Sequence, residues 1–521
     1  MRLTSTLTLA ACLFFSLPAA AQKADAPAAK GAADEVEKKV ATEIAENWAT
    51  APVAEVTKSK AMKVAVGGRT IGYTATAGTL TIRNAAGKPT ASIFYTAYTA
   101  PGAGGKARPV TFLYNGGPGS ASLWLRMGSF GPVRVRTTDP NAVAPAPFHV
   151  DANPDTLIGS TDMVFIDTVG SGYSRPLGDT KPADFYGVDQ DVDAFAKAIT
   201  RYVIKNKRWG DPKYILGESY GTTRSGALAY QLEDQGVTLN GVILLSSIMN
   251  YGIRQSGFDT IHVGYLPSYA ATAWYHNRVA DKPDLATFVE QARAFANGPY
   301  AAALAKGQDI SAAEEDAVAR DLSRFTGLSV DYLKRANLRV DLGRFRKELL
   351  RDQRATVGRF DSRYVGTDDD AAGETPEYDA SSTGITGAYI SSFQDYLTRE
   401  LGYETELTYR RSAREGGEFK WDWSHKAPDD RTQNVADVTA DLSQAMRINP
   451  HLRVLSLNGY YDMATPFFST ERDLKHMMLP ANLQPNLQFR YYPAGHMVYL
   501  NPEALRQMRI DLERFYAEGA R

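Results

Sequence analysis

The segment GESYGTTR, residues 217–224, carries a serine between two glycines, with a glutamate directly before the serine. The pattern G-x-S-x-G presents a nucleophilic hydroxyl when it lies on a sharp turn from a strand into a helix. The apolar stretch KYIL precedes the motif and the helical stretch TTRSGALAYQLED follows it, so Ser219 falls on such a turn. We therefore predict a nucleophile for acyl transfer at Ser219, the alternative being a glycine-rich turn with a surface serine.

A serine nucleophile needs a general base, and the base needs an acid that orients it. Two late apolar segments, LRVLSLNGYYD and QFRYYPAGH, end at Asp462 and His496. Serine, acid and histidine thus follow one another in the order used by α/β-hydrolases. Of the seven histidines, only His496 follows a late apolar strand and a glycine, and none lies in an H-E-x-x-H pattern. The sequence predicts a triad of Ser219, Asp462 and His496, with no metal and no cofactor.

The tetrahedral intermediate of acyl transfer also needs hydrogen-bond donors for its oxyanion. The segment YNGGPGSAS, residues 114–122, follows another apolar strand and offers backbone that can be approached closely. We predict that the donors are the amides of Gly117 and of Tyr220, the residue after the nucleophile. The alternative is that NGGPGS is merely a turn, which Gly and Pro would serve well.

Apolar strands that end in Gly, Asp or Asn must position these residues. They alternate with helical stretches and are apolar on both faces, which predicts a mainly parallel sheet covered on both sides. A meander of antiparallel strands precedes them from about residue 62, and helical patterns replace strands between Ser247 and His451. We predict an α/β-hydrolase fold with a mainly parallel central sheet, helices on both faces and a helical cap insertion. Functional residues should lie at the carboxyl ends of the strands.

The predicted organisation begins with a signal peptide at residues 1–21, because Arg2 precedes a short apolar run that ends in small residues. The other segments are a flexible or helical segment at 22–60, the hydrolase core at 61–250 and 436–521, and the cap at 251–435. Export to the periplasm or the medium follows. The sequence leaves open whether Cys12, the only cysteine, is lipidated and whether the segment after the signal is a propeptide.

Composition and charge give no sign of several other classes of protein. Of the 521 residues, 44% are apolar and 22% are charged, which is globular composition, and the formal net charge is -1. This balance gives no reason to expect nucleic acid or an anionic membrane as a partner. No apolar stretch approaches the length of a membrane span. The acidic stretch at 366–384 fails the EF-hand pattern at Ala372, which favours a solvated loop over a calcium site.

Five motifs together resemble the serine carboxypeptidase family, peptidase family S10: NGGPGSAS, FIDTVGSGYS, GESYG, NGYYDMATP and AGHMVY. They occur in the family's order between residues 114 and 499 and bracket an insertion at the expected place. The resemblance implies a secreted bacterial enzyme that removes C-terminal residues from peptides with a free C-terminus, through an acyl-enzyme. It further implies that Met497 lines the pocket of the leaving residue, and it leaves a homodimer open.

The resemblance also gives the glutamate beside the nucleophile a role. In the family, the Asn of the N-G-G motif and the Glu before the serine bind the substrate's terminal carboxylate, here Asn115 and Glu218. A protonated carboxyl can donate a hydrogen bond to a carboxylate, whereas an ionised carboxyl repels it. Glu218 must therefore hold its proton in a desolvated pocket, which implies a preference for mildly acidic pH.

The chain departs from the family pattern around this pocket. Ser129 stands where members often carry a glutamate, and Tyr499 stands where a proline is common. Thr223 and Arg224 follow the serine motif where many members have a small-aromatic run. One hypothesis is that Arg224 pairs with Glu218 and keeps it ionised, which would weaken carboxylate binding.

Two rival functions remain at this level. An esterase or acyltransferase could use the same triad and oxyanion donors, although the pair of Asn115 and Glu218 favours a free carboxylate beside the scissile bond. A non-catalytic binding protein could retain the fold, although the three predicted triad residues favour an enzyme.

Overall fold

The computed structural model describes residues 51–102, 107–255, 257–280 and 282–519. The predicted signal peptide, Cys12 and the predicted segment 22–60 as far as residue 50 lie outside the described residues. The first strand begins at Thr57, so the predicted start of the core at residue 61 falls inside that strand. Within the described ranges, no helix is both long enough and apolar enough to span a membrane.

The strands of the described residues, in chain order, are β1 (Thr57–Val66), β2 (Arg69–Arg83), β3 (Pro89–Thr99), β4 (Val110–Tyr114), β5 (Val133–Val135), β6 (Val150–Ala152), β7 (Asp162–Ile166), β8 (Arg175–Pro176), β9 (Lys213–Glu218), β10 (Gly241–Leu245), β11 (Thr356–Val357), β12 (Val365–Gly366), β13 (His425–Lys426), β14 (Thr432–Gln433), β15 (Arg453–Gly459) and β16 (Leu487–Tyr492).

The α-helices are α1 (Leu123–Gly128), α2 (Val188–Lys205), α3 (Tyr220–Asp234), α4 (Thr260–Tyr275), α5 (Leu285–Phe295), α6 (Ala301–Ala305), α7 (Ala312–Thr326), α8 (Val330–Arg335), α9 (Leu342–Glu348), α10 (Ala380–Thr383), α11 (Thr386–Asp395), α12 (Thr439–Ile448), α13 (Phe467–Lys475) and α14 (Pro502–Gly519).

Ten strands of the described part of the chain form one sheet, in the order β1-β2-β3-β7-β4-β9-β10-β15-β16, with β8 paired to β3. The pairs from β1 to β3 and the pair β3–β7 are antiparallel. Every pair from β7 to β16 is parallel. The parallel part consists of the apolar strands β4, β7, β9, β10, β15 and β16, and their carboxyl ends therefore meet at one edge of the sheet.

Helices cover both faces of the sheet, as the alternation of side chains along β4 shows. Phe112 on one face of β4 contacts Tyr202 of α2, with ring centroids 5.6 Å apart. Thr111, the preceding residue, faces the other way and hydrogen bonds the Tyr516 hydroxyl of α14 at 2.9 Å. Residues of β4, β7, β9 and β10 are buried throughout, which matches the continuous apolar runs in the sequence.

The long segment between β10 and α12 is mainly helical in its described part and carries α4 to α11 with two short hairpins, β11–β12 and β13–β14. Helices α4, α5, α7 and α9 bury their apolar faces in a cluster that also contains Phe467 and Phe468 of α13. This insertion therefore packs on the helix that follows β15.

Candidate active site

Ser219 occupies a strained corner between β9 and α3. Its backbone angles are φ 61° and ψ −129°, a region that residues other than glycine rarely adopt. A Cβ atom on Gly217 would lie 2.1 Å from the carbonyl oxygen of Gly221, so the turn requires glycine there. The amide of Ser219 donates to the carbonyl of Leu245 at the end of β10, 3.0 Å away. The corner leaves Ser219 partly exposed and facing a cavity.

Asp462 and His496 form a buried acid–imidazole pair beyond β15 and β16. His496 Nδ1 lies 2.8 Å from Asp462 Oδ2, and both side chains are buried. Asp462 Oδ1 accepts hydrogen bonds from the amides of Ala464 and Thr465, at 2.8 and 2.9 Å. The Thr465 hydroxyl donates to Asp462 Oδ2 at 2.7 Å. These donors stabilise the carboxylate, which orients the imidazole and leaves its Nε2 for the nucleophile.

The loop that carries His496 is held by two further elements. The amide of His496 donates to the carbonyl of Phe360 at 2.6 Å, and the Ser246 hydroxyl donates to the carbonyl of His496 at 2.5 Å. The Phe360 ring lies 5.2 Å from the imidazole ring. A Cβ atom on Gly495 would lie 2.4 Å from that of Asp361, so the insertion touches the loop closely. Phe360 was not predicted from the sequence, because no local motif marks it.

The N-G-G loop after β4 lies against the first turn of α3. A Cβ atom on Gly116 would lie 2.4 Å from the Tyr220 nitrogen and 2.6 Å from the Gly221 nitrogen. Gly117 has φ 109°, which favours glycine. Tyr220 begins α3, and amides of a first helical turn have no partner within their helix. The loop and the helix terminus thus bring the two predicted oxyanion donors together. The packing role of Gly116 was missed, although the doubled glycine was its signal.

One cavity joins most of the predicted site residues. It has a volume of about 200 Å³, and its lining includes Asn115, Gly117, Glu218, Ser219, His496 and Met497, together with Gly116, Ser120, Trp124, Arg359, Phe360, Ser381, Ser382 and Ile385. Asp462 lies behind His496, and the Tyr220 side chain is fully buried beneath the corner. A larger open groove beside Glu55 and Arg201, about 580 Å³, contains none of the predicted residues.

Glu218 is buried at the floor of this cavity and is only 2% exposed. Its Oε2 accepts hydrogen bonds from Asn115 Nδ2 at 2.8 Å and from the Tyr499 hydroxyl at 2.9 Å. Burial raises the pKa of Glu218 to about 7, although the His496 side chain and the two hydrogen bonds act in the opposite direction. A carboxyl with such a pKa is protonated in mild acid and can then donate a hydrogen bond.

Tyr499 joins Asn115 as a hydrogen-bond partner of Glu218, and Ser129 does not take that place. The Ser129 hydroxyl donates to the backbone carbonyl of Leu125 at 2.5 Å. Asn115 Oδ1 accepts from the Leu125 amide at 3.0 Å, which orients the Asn115 amide group toward Glu218. In the sequence, Tyr499 stands out only as a departure from the family pattern. Its contact with Glu218 depends on how the loop after β16 folds back over β9.

The hypothesis that Arg224 pairs with Glu218 is wrong. Arg224 is fully buried, and its Nε donates to Asp191 Oδ2 on α2 at 2.7 Å. Its Nη1 donates to the carbonyl of Asn115 at 2.9 Å. On α3 the side chain of Arg224 lies behind the corner, on the face that packs against α2. Arg224 therefore supports the backbone of Asn115 and does not hold Glu218 ionised.

Within the described ranges, no group of three or more His, Cys, Asp or Glu residues could hold a metal ion. Asp368 belongs to the acidic stretch 366–384 that fails the EF-hand pattern. Its Oδ2 accepts a hydrogen bond from the buried Lys347 ammonium at 2.5 Å. A protein cation thus pairs with that carboxylate.

Comparisons with known proteins show which family and which solved structures this chain is similar to. Residues 69–292, somewhat less than half of the chain, match the family model described as serine carboxypeptidase. Among solved structures, Kex1(delta)p, a prohormone-processing carboxypeptidase from Saccharomyces cerevisiae, is 13% identical with a TM-score of 0.50. The match covers 86% of this chain and 91% of that chain. Proline iminopeptidase from Mycobacterium smegmatis is 16% identical with a TM-score of 0.36, over 85% and 98% of the two chains.

The mainly parallel sheet and the helices on both faces therefore belong to an α/β-hydrolase fold, as the sequence predicted. Within that class, the chain is similar to the serine carboxypeptidases over the residues that the family model matches. That match includes Asn115, Glu218 and Ser219 and ends before Asp462 and His496.

Proposed function

We propose that this protein is a serine-type carboxypeptidase of the family whose model it matches, and that it removes C-terminal residues from peptides. One observation carries the proposal. Glu218, hydrogen bonded to Asn115 and Tyr499, lines the same cavity as Ser219 and His496. A group that can bind a free carboxylate thus lies beside the nucleophile, which suits a substrate cleaved at its C-terminus.

The first half of the reaction forms an acyl-enzyme. Ser219 Oγ attacks the carbonyl carbon of the last peptide bond, and His496 Nε2 takes the hydroxyl proton. Asp462 stabilises the resulting imidazolium through Nδ1. The amides of Gly117 and Tyr220 donate to the oxyanion of the tetrahedral intermediate. The imidazolium then protonates the leaving amine, the peptide bond breaks, and the acyl group remains on Ser219.

The second half regenerates the enzyme. Water gives a proton to His496 Nε2 and attacks the acyl carbon, and the intermediate collapses to release the shortened peptide and the Ser219 hydroxyl. During the first half, the terminal carboxylate of the substrate accepts hydrogen bonds from Asn115 Nδ2 and from protonated Glu218. Met497 lines the cavity and contributes to the pocket of the leaving residue.

The test compares an N-blocked dipeptide with its C-terminal amide, with products identified by mass spectrometry. The parent protein is expected to release the last residue from the free acid and to leave the amide intact. Ser219→Ala should lose at least about 10³-fold in kcat, because the triad loses its nucleophile. Equal hydrolysis of simple esters without release of any amino acid would instead favour an esterase or acyltransferase.

Labelling with a fluorophosphonate separates these enzymes from a binding protein. A covalent adduct at Ser219 is expected, since the probe reacts with serines that a neighbouring base activates. Absence of the adduct from folded protein would favour the non-catalytic alternative.

We also propose that the protein is exported, because a positive start, a short apolar run and small residues begin the chain. Mass spectrometry of the protein from the periplasm or the medium should find an N-terminus at Gln22. An N-terminus at Met1 would contradict the proposal, and a lipid on Cys12 would contradict the cleavage site.

A further inference from the structure

The cavity contains a cation that the proposed reaction does not use. Arg359 lines the cavity together with Glu218, Ser219 and His496. Its side chain is half-buried, and its guanidinium has no ion pair or hydrogen bond with any residue that the structure describes. A guanidinium offers five N–H donors in a planar fork that matches a carboxylate. A guanidinium without a polar partner in the same cavity as the nucleophile can therefore bind a substrate carboxylate.

The backbone of Arg359 is fixed from two sides. Its amide donates to Asp379 Oδ1 at 3.1 Å, and its carbonyl accepts from the Met463 amide at 3.1 Å. Its guanidinium carbon lies 5.0 Å from the centroid of the Phe360 ring, which in turn lies 5.2 Å from the His496 ring. The guanidinium is therefore no farther from the catalytic imidazole than these two distances together.

Asp379, which accepts the Arg359 amide, forms no ion pair with the Arg359 guanidinium and lies 4.0 Å from Arg346 Nη2 instead. Asp379 Oδ1 accepts hydrogen bonds from the amide of Ser381 at 3.1 Å and from its hydroxyl at 2.5 Å. The titratable and charged side chains that line the cavity are Arg359, His496 and Glu218. The proposed reaction requires protonated Glu218, which is neutral. The cavity therefore carries a net positive charge under the conditions of that reaction.

We propose that Arg359 determines specificity by binding the side-chain carboxylate of an acidic C-terminal residue, so that the enzyme prefers to release glutamate or aspartate. This inference rests on the proposed function. The terminal carboxylate already has donors in Asn115 and Glu218, at the floor of the cavity beside Ser219. Arg359 comes from a different element and leaves its donors for a second carboxylate. A partly desolvated ion pair with paired hydrogen bonds is among the stronger polar contacts in proteins.

The test uses three N-blocked dipeptides that differ only in the last residue, which is Glu, Gln or Leu. Glu and Gln have the same shape, so their comparison isolates the charge. The parent should show roughly tenfold or higher kcat/KM for the Glu peptide than for the Gln peptide, at pH 6. Arg359→Gln should remove that preference by lowering kcat/KM for the Glu peptide, with changes below about threefold for the Gln and Leu peptides.

Each other outcome overturns the inference in a distinct way. An equal loss on all three peptides would mean that Arg359 binds the terminal carboxylate. A fourth dipeptide carries Glu in the penultimate position and Leu at the end, and a loss confined to that peptide would mean that Arg359 serves the residue before the scissile bond. A parent that releases Gln as fast as Glu would overturn the inference alone. A parent that releases no residue from any peptide would overturn the proposed function as well.

Matched variants separate binding from folding. Arg335 on α8 is an exposed arginine of the same insertion that does not line the cavity, so Arg335→Gln should keep the parent's preference for Glu. Arg359→Glu should favour a C-terminal lysine over a C-terminal Glu. Free glutamate should inhibit the parent more strongly than free glutamine, and Arg359→Gln should abolish that difference. Equal inhibition of the parent by both amino acids would contradict the inference.

Discussion

Glu218 shows how one side chain can combine recognition with sensitivity to pH. Burial raises the pKa of its carboxyl to about 7, and Asn115 and Tyr499 hydrogen bond the same oxygen. Under the proposed function, the protonated form binds substrate and the ionised form repels it. Activity on peptides should therefore be retained below pH 7 and lost as the pH rises through that value, as long as His496 acts as the base.

The first prediction concerns Glu218→Gln. An amide donates a hydrogen bond at every pH, so the variant should lose the decline in kcat/KM above pH 7 that the parent shows for a peptide with a free C-terminus. The decline in the parent should approach tenfold per pH unit. The measurement is kcat/KM between pH 5 and 9.

An ester substrate without a terminal carboxylate is the control for this prediction. Its pH profile should be the same for the parent and for the variant, because Glu218 has no carboxylate to bind. Superimposable peptide profiles for the two proteins would show that Glu218 does not bind the terminal carboxylate.

The second prediction concerns Tyr499→Phe. The Tyr499 hydroxyl donates to Glu218 Oε2 and favours the ionised form, so its removal should raise the pKa of Glu218 further. The alkaline decline of kcat/KM should shift upward by roughly half a pH unit to one unit. Tyr492→Phe is a matched control, because that buried hydroxyl donates to Asp511 at 2.8 Å, away from the cavity. A shift to lower pH would contradict the assigned role.

At the scale of elements, the site depends on the N-G-G loop lying close to the first turn of α3. The closest approach is at Gly116, where an added Cβ would meet backbone nitrogens of Tyr220 and Gly221. Backbone cannot swing aside as the end of a long side chain can. A substitution there must separate the two segments that carry the predicted oxyanion donors.

The third prediction is that Gly116→Ala lowers kcat by about 10²-fold or more with a smaller change in KM, because displaced donors stabilise the oxyanion less. Gly210→Ala is the control, since nothing lies within 4 Å of a Cβ placed on that exposed glycine. The control should keep the parent's kcat. A folded Gly116→Ala protein with the parent's kcat would show that the loop does not supply an oxyanion donor.

At the scale of the whole molecule, a buried histidine joins the insertion to two helices on the sheet. His425 Nδ1 lies 2.6 Å from Asp189 Oδ1 on α2, and its Nε2 lies 3.0 Å from Asp441 Oδ2 on α12. Burial would lower the pKa of His425, but its hydrogen bonds to the Asp189 and Asp441 carboxylates prevail and raise the pKa to about 9. The protonated imidazole thus donates to both carboxylates.

The fourth prediction follows from that raised pKa. The stabilisation from His425 should be complete below about pH 6.5, the usual value for histidine, and should be lost as the pH rises through about 9. Between these limits the free energy of unfolding should fall by about 1–2 kcal/mol, allowing for solvent screening. His425→Gln should remove this component, which denaturant unfolding at a series of pH values would reveal.

His451→Gln is the control for the fourth prediction, because His451 is exposed. The control should retain the parent's loss of stability between pH 6.5 and 9. If the free energy of unfolding of His425→Gln fell with pH as steeply as that of the parent, the proposed role of His425 in stability would be contradicted.

Local pattern in the sequence determined the fold class and the candidates for the triad. The apolar strands, the doubled glycine after β4 and the turn at Ser219 follow from nearest neighbours along the chain, and the polar residues after parallel strands must meet at one edge. The order of Ser219, Asp462 and His496 along the chain is then enough to predict a triad.

Only the tertiary structure decided which side chains surround the cavity. Tyr499 reaches Glu218, Arg224 turns to Asp191, and Arg359 enters from the insertion. These contacts join segments that are distant in the chain, and they depend on the direction in which each loop and helix presents its side chains. The periodicity of a sequence encodes the buried face of an element, but it does not encode which remote element packs against that face.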